Sequence, residues 1–195
     1  MTLLDSPYAF ALMNRVLGGR RAHRALIAWL DPPGAARVLD LGCGVGALLN
    51  VLPPAMTYLG IDSDPAYIAA AQRWHGARGR FRCADVTTVD LGSEPPFDVV
   101  MVSALLHHLD DDSIGALCRL VRRFGRPGAR LVSIDPDLAA PGMAGWAVRA
   151  DRGMHIRTAE RYQRLLAPLG PVEVQYRTDL LRIPYAHILL RLTIA

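Results

Sequence analysis

The sequence contains no lysine. All 22 basic side chains are arginine, set against 18 acidic ones, for a net charge of +4. Arginine grips carboxylates and phosphates in a planar fork, so an acidic ligand, a membrane surface or nucleic acid could each use this bias. A GC-rich coding bias accounts for it without any ligand. Cysteine is scarce. Cys43, Cys83 and Cys118 are scattered, with no CxxC pair and no metal spacing, which excludes a disulfide framework and agrees with a reducing compartment. No apolar run reaches the ~18 to 20 residues that span a bilayer. The first ten residues carry Asp5 and no basic segment, so no signal peptide is expected and the expected location is cytoplasmic. Internal repeats and low-complexity tracts are also missing.

What is present is a chain in which 51% of residues are hydrophobic, enough for a packed core. Its 195 residues suit one domain, 1–195. Residues 6–30 have helical periodicity interrupted at Gly18-Gly19, and Asp31-Pro-Pro-Gly34 stops it, giving an N-terminal helical cap over 1–34. Strands and helices then alternate: strand 37–41, helix 45–52, strand 57–61, helix 65–74, short strand 80–83, strand 97–102, helix 112–124 and strand 129–134. An irregular connection follows over 135–157, then a helix to about 166 and two strands near 172–178 and 185–192. Continuous apolar strands alternating with helices predict a parallel sheet covered on both faces. The last two strands are joined by too few residues for a crossover and must be antiparallel.

Residues 38–46, VLDLGCGVG, form a strand followed by a glycine-rich turn. Glycines permit close backbone approach and positive φ, and ligands of open α/β sheets sit at the carboxyl ends of the strands. Gly42, Gly44 and Ala47 also satisfy the degenerate dinucleotide pattern G-x-G-x-x-A. Asp40 argues against that reading. A carboxylate inside the end of the first strand opposes a pyrophosphate but suits the cationic end of an amino-acid moiety. Asp62 ends the second strand, where a carboxylate can accept two ribose hydroxyls, a feature shared with NAD sites. Asp85 follows the third strand, where an acceptor can meet an adenine amino group.

With VLDLGCGVG (38–46), GIDSDP (60–65), CADV (83–86), FDVVMVSALLHHL (97–109) and RPGARLVSID (126–135) in this order, the chain resembles the class I S-adenosylmethionine-dependent methyltransferases, specifically the small bacterial members acting on small molecules. The resemblance implies a Rossmann-like α/β sheet of seven strands in the order 3-2-1-4-5-7-6 with strand 7 antiparallel. It implies S-adenosylmethionine as cofactor and S-adenosylhomocysteine as product. Gly42 and Gly44 are expected under the methionine part, Asp62 on the ribose, Asp85 with Val86 on the adenine, and Ser103 with Ala104 beside the sulfonium. Asp40 either orients the glycine loop or contacts the cofactor. The place of an Asn/Asp-Pro-Pro-Tyr motif, which marks DNA amine methylation, holds SALLHHL here, so nucleic acid is not the expected partner.

The acceptor side is less specific. His107 or His108 is a candidate general base, with a cofactor shelf as the alternative, and Asp135 is a candidate base or substrate anchor. The connection 135–157 reads as a substrate lid. Arg149, Arg152 and Arg157 in it are expected to clamp an anionic acceptor unless they form a solvated surface, and His155 is a further candidate base. Tyr185 and His187 share one side of the last strand, with Tyr185 at the pocket. Asp110 to Asp112 cap a helix and do not form a metal site, and His23 and His75 are structural. The expected activity is methyl transfer to an O, N or C atom of a small-molecule acceptor. Its alternatives are rearrangement or cyclisation on the same cofactor, a non-catalytic cofactor-binding module and an NAD-linked oxidoreductase.

Overall fold

A computed structural model of the chain describes residues 6–151 and 153–195. Seven strands form one sheet: β1 (Arg37–Leu41), β2 (Thr57–Asp62), β3 (Arg80–Cys83), β4 (Phe97–Ser103), β5 (Gly125–Pro136), β6 (Val172–Arg177) and β7 (His187–Thr193). Their order is β3-β2-β1-β4-β5-β7-β6. The first five are parallel, and β7 runs antiparallel to both of its neighbours. The architecture is therefore the doubly wound, Rossmann-like α/β sheet that the resemblance implied.

Alternation along the strands divides the core between two faces. Leu39, Leu41, Ile61, Val100 and Val102 point to one side and pack with α4 (Asp111–Phe124) and α6 (Ala159–Leu166). Val38, Val99, Met101, Val132 and Leu189 point to the other and pack with α2 (Gly19–Leu30) and α3 (Pro65–His75). Each fully buried aliphatic side chain contributes about 1.5 to 3 kcal/mol. Local chemistry sets the helix starts. Asp64 accepts from the Ala66 amide at 2.7 Å, with Pro65 in the first turn of α3. Asp110 accepts from the Ser113 amide at 2.8 Å and caps α4.

The 6–30 helix is split, as its Gly-Gly break predicts, into α1 (Pro7–Leu17) and α2, with Gly18 at φ +98° between them. Three expectations need correction. The helix anticipated over 45–52 is only a 3-10 turn, Ala47–Asn50, because Gly42, Gly44 and Gly46 all adopt positive φ and Pro53-Pro54 halts the chain at once. The connection 135–157 is not irregular throughout. It contains α5 (Gly142–Arg149), whose outer face leaves Met143 and Trp146 exposed. Tyr185 lies before β7 and not on it, since the strand begins at His187.

Arg157 anchors that connection. It is buried, and all five of its N–H groups meet oxygens: Nε and Nη2 reach Asp111 Oδ1 at 3.0 and 2.7 Å, Nη1 reaches the carbonyls of Leu106 and His155 at 3.1 and 2.7 Å, and Nη2 reaches the Leu109 carbonyl at 2.8 Å. Removing one partner of such a network leaves polar groups buried without compensation. Arg157→Leu is therefore expected to lower unfolding stability by about 3 kcal/mol, the low end of the usual range, because Asp111 is itself 41% exposed. Urea denaturation checks this, and a loss below about 1 kcal/mol would contradict the anchoring role.

Candidate cofactor and acceptor site

The turn after β1 is folded back onto the end of β2. The amides of Gly42 and Cys43 both donate to the Ile61 carbonyl, at 2.8 and 3.0 Å, and the Gly46 amide donates to the Cys43 carbonyl at 2.9 Å. Asp62 takes the Gly44 amide on one oxygen at 2.8 Å and the Asp64 amide on the other at 2.9 Å. A pyrophosphate cradle needs outward-facing amides at a helix N-terminus. Here these amides are engaged, and only a four-residue 3-10 turn follows. Gly42 sits at φ +74°, and a Cβ there would press on Leu105 at 3.0 Å. Gly44 sits at φ +52°, and a Cβ there meets nothing within 4 Å. The demand at Gly44 is therefore conformational, and the space before it is open. The expected packing of Gly44 under a ligand is a matter of what fills that space, not of a crowded turn.

Asn14, His23, Asp40, Gly42 to Val45, Ser103 and Ala104 line a cavity of about 120 Å³ beside this loop. Asp40 is fully buried. Its Oδ2 accepts from the Tyr58 hydroxyl at 2.5 Å, while Oδ1 has no partner among the described residues. Burial pushes the Asp40 carboxyl up to about 7, partly opposed by the Tyr58 hydrogen bond and reinforced by Asp62. Burial also pushes the His23 imidazole down to about 4. An orphaned buried carboxylate oxygen and an open glycine face suit the cationic amino end of S-adenosylmethionine, and they do not suit a phosphate.

The other cofactor candidates line the same edge. Val86 is buried, and Asp85 is exposed with Oδ1 accepting from both the amide and the hydroxyl of Thr87 at 2.7 Å. Those hydrogen bonds hold the Asp85 carboxyl below its ordinary range. Ser103 ends β4, and Ala104 follows at φ +54°, its amide tied to the Ile134 carbonyl at 2.8 Å. A non-glycine residue in that conformation is strained, which is common at ligand sites.

Past Ala104 the chain enters a polar cluster at the ends of β4 and β5. Asp135 is buried. Its Oδ1 accepts from the His107 amide at 3.1 Å and lies 2.8 Å from His107 Nδ1, and its Oδ2 accepts from the Ser133 hydroxyl. His107 Nε2 faces Asp151 Oδ1 at 3.6 Å. The Tyr185 hydroxyl donates to Asp151 Oδ2 at 2.7 Å, and its ring lies 4.8 Å from that of His187. His108 is exposed, its ring 4.1 Å from that of His107, and burial followed by the charge of His107 lowers its imidazole below the ordinary range. His107, Asp135 and Tyr185 are thus brought together.

The expected arginine clamp is not assembled this way. Arg157 has every N–H committed to protein oxygens and is withdrawn as a substrate ligand. Arg149 is exposed at the end of α5, and Arg152 lies outside the described residues. His155 contributes its backbone, its amide donating to the His107 carbonyl at 3.0 Å. Four residues escaped the sequence reading: Asn14 and His23 on the cavity wall, Tyr58 under Asp40, and Ser133 beneath Asp135. The available signal for His23 was a polar residue adjoining the buried stripe Gly19, Ala22, Leu26, Leu30 of α2.

A family profile described as "Methyltransferase domain" matches residues 38–128. Trans-aconitate 2-methyltransferase of Variovorax paradoxus is 30% identical over 156 residues, covering 77% of this chain and 59% of that protein. N-methyltransferase NodS from Bradyrhizobium japonicum, solved with S-adenosylhomocysteine, superposes with a TM-score of 0.69 at 20% identity over 90% of this chain and 86% of that one. Geranyl diphosphate C-methyltransferase from Streptomyces coelicolor A3(2) superposes with a TM-score of 0.71 at 15% identity, covering 91% and 81%. Residues 38–128 thus match a methyltransferase domain, and the chain is similar in sequence and fold to class I S-adenosylmethionine-dependent methyltransferases. It spans between 45 and 59% of the length of the first curated relatives it matches.

Asp40 generates a pH prediction. Its carboxyl titrates at 3.8 when unfolded and at about 7 when folded. Between those values the folded state holds the extra proton, so the stabilisation is full below 3.8 and is lost as pH rises through about 7. Asp40→Asn, which carries no titrating proton, is expected to gain in melting temperature relative to the parent as pH rises from 5 to 8. Parallel curves across that range would contradict the buried, proton-holding carboxyl.

Proposed function

We propose that the chain transfers a methyl group from S-adenosylmethionine to a heteroatom or carbon of a small-molecule acceptor. The observation that carries this reading is the orphaned Asp40 oxygen beside an open glycine face, within a loop whose amides are turned away from any phosphate. When bound, the cofactor supplies a methyl group already activated on a sulfonium, so the protein's task is proximity, alignment and proton handling. Asp40 would hold the amino group, Asp62 the ribose, Asp85 with Val86 the adenine, and Ser103 with Ala104 the border to the acceptor. Asp62 would do this with lone pairs left over from its two backbone hydrogen bonds.

His107 is the preferred base. Asp135 holds both its backbone amide and its ring Nδ1, leaving Nε2 directed toward Asp151. His108 is the more accessible alternative, its imidazole held below the ordinary range by partial burial and the charge of His107. The helical segment ahead of β1 and the connection from Asp137 to Arg157 would flank the acceptor as cap and lid. A second reading, an anionic acceptor, is favoured by the name trans-aconitate 2-methyltransferase carried by several relatives. Among the described residues it retains Arg149 alone of the arginines first expected to support it.

S-adenosylhomocysteine is expected to raise the melting temperature, by the equivalent of about 2.7 kcal/mol at a hundredfold excess over its Kd, and NADH is expected to leave it unchanged. A thermal-shift assay with both ligands checks this. Stabilisation by NADH without a response to S-adenosylhomocysteine would reverse the cofactor assignment.

A further inference from the structure

The arginines are not spread evenly along the chain. Residues 6–30 contain Arg15, Arg20, Arg21 and Arg24 and no acidic residue. Elsewhere arginines and carboxylates are equal in number, so this segment holds the whole net charge of +4. It is the helical pair α1 and α2, and all four arginines are exposed there, Arg21 reaching Asp179 at 3.2 Å. α1 also turns apolar side chains outward. Tyr8, Leu12 and Val16 recur at four-residue spacing, which puts them on one side of the helix, and each is more than half exposed. Arg15 follows Leu12 by three residues and shares that side. The Tyr8 ring meets Trp74 edge-on with centroids 5.3 Å apart, and Trp74 is exposed at the end of α3 beside an exposed Arg73. A helix that only covers a sheet keeps its apolar residues inward, as α2 does with Ala22, Leu26 and Leu30. The inner side of the pair faces the site. Asn14, about half a turn from Leu12 and Val16, and His23 of α2 both line the cavity beside Asp40.

We infer that α1 and α2 dock on the surface of an anionic lipid bilayer, with Tyr8, Leu12, Val16 and Trp74 entering the boundary between headgroups and acyl chains and Arg15, Arg20 and Arg24 meeting headgroup phosphates. The inference stands apart from the methyl-transfer reading. A helix with an apolar row flanked by arginine binds such a surface by burying the row and by attraction to anionic lipid. Tyrosine and tryptophan suit the boundary, since each has an apolar body and a polar tip. Charge selects this partner over the others. A second copy seated on the same face would bring two sets of four arginines together. A nucleic acid would engage the arginines and leave the apolar row in water. An anionic bilayer accommodates both. The bilayer surface then lies across α1 from the cofactor cavity, so docking and the cavity share one helix.

The test is flotation of the whole chain with vesicles of phosphatidylcholine alone or of phosphatidylcholine mixed with phosphatidylglycerol. Binding to the mixed vesicles is expected to be at least tenfold tighter than to the neutral ones and to weaken as salt is raised. Arg15→Gln/Arg20→Gln/Arg24→Gln and, separately, Leu12→Ser/Val16→Ser are each expected to weaken it at least tenfold. Arg119→Gln/Arg122→Gln/Arg123→Gln on α4 removes the same charge and is expected to leave it within twofold. The comparison of the two vesicle types with the unaltered chain stands even if a variant fails to fold. Absence of binding to the mixed vesicles, equal binding to neutral ones, indifference of either folded cap variant, or an equal loss in the α4 variant would each overturn the inference. Dimerisation abolished by Leu12→Ser/Val16→Ser would assign the face to a second copy instead. Binding to duplex DNA that rivals the mixed vesicles and ignores Leu12→Ser/Val16→Ser would assign the arginines to nucleic acid, and either result would also overturn the bilayer.

Discussion

Arg157 enters the interior with each N–H directed at an oxygen, and it ties its own connection to the segment from Leu106 to Asp111, 46 to 51 residues earlier in the chain. The turn after β4 presents the Leu106 and Leu109 carbonyls, α4 presents Asp111, and the connection ahead of α6 presents the His155 carbonyl. A desolvated guanidinium tolerates little rearrangement, because displacing any partner leaves a donor unsatisfied. The same turn carries His107, and the same connection carries Asp151. Their facing geometry is thus set from behind by a cation that touches neither ring nor carboxylate. The arginine bias of the sequence acquires a concrete use here, as an internal scaffold.

The cofactor side is organised by carboxylates. Asp40 and Asp62 lie at the ends of adjacent parallel strands, and Asp135 ends a third two strands further along. Asp62 is satisfied by backbone amides and orders the glycine loop. Asp135 is satisfied by Ser133 and His107. Asp40 differs, since it retains an unpaired oxygen and holds its proton far above the ordinary carboxyl range. A buried group of that kind works against stability above neutral pH, and it fits the proposed role of Asp40 in meeting a positive group.

The sheet and its order were legible because apolar strands and capped helices obey strong periodicities. The reversed strand was legible because the link between the last two strands is too short for a crossover. The helix expected over 45–52 misled because its apolar pattern is real, while three positive-φ glycines and a Pro-Pro pair override it. The glycine turn after β1 was legible, and Gly42, Gly44 and Gly46 do adopt positive φ. The acceptor side was legible only in part. His107, Asp135 and Tyr185 were named, yet nothing in the one-dimensional pattern separates an arginine that grips a ligand from one buried among carbonyls. That distinction depends on where the Leu106, Leu109 and His155 carbonyls lie in space. In sequence Asp151 is only a carboxylate between Arg149 and Arg152. Its role beside His107 required the fold to bring the connection back over the end of β4.

The placement of β7 has a consequence for synthesis. It is made last among the seven strands, yet it lies between β5 and β6 and forms every ladder hydrogen bond of β6. As the chain emerges from a ribosome, β5 therefore remains an open edge through the production of the whole connection, α6 and β6. An exposed parallel edge of that length, Gly125–Pro136, is a template for pairing with another nascent chain. A pause in synthesis between the end of β5 at Pro136 and the start of β7 at His187 would prolong the five-stranded intermediate with its β5 edge uncovered.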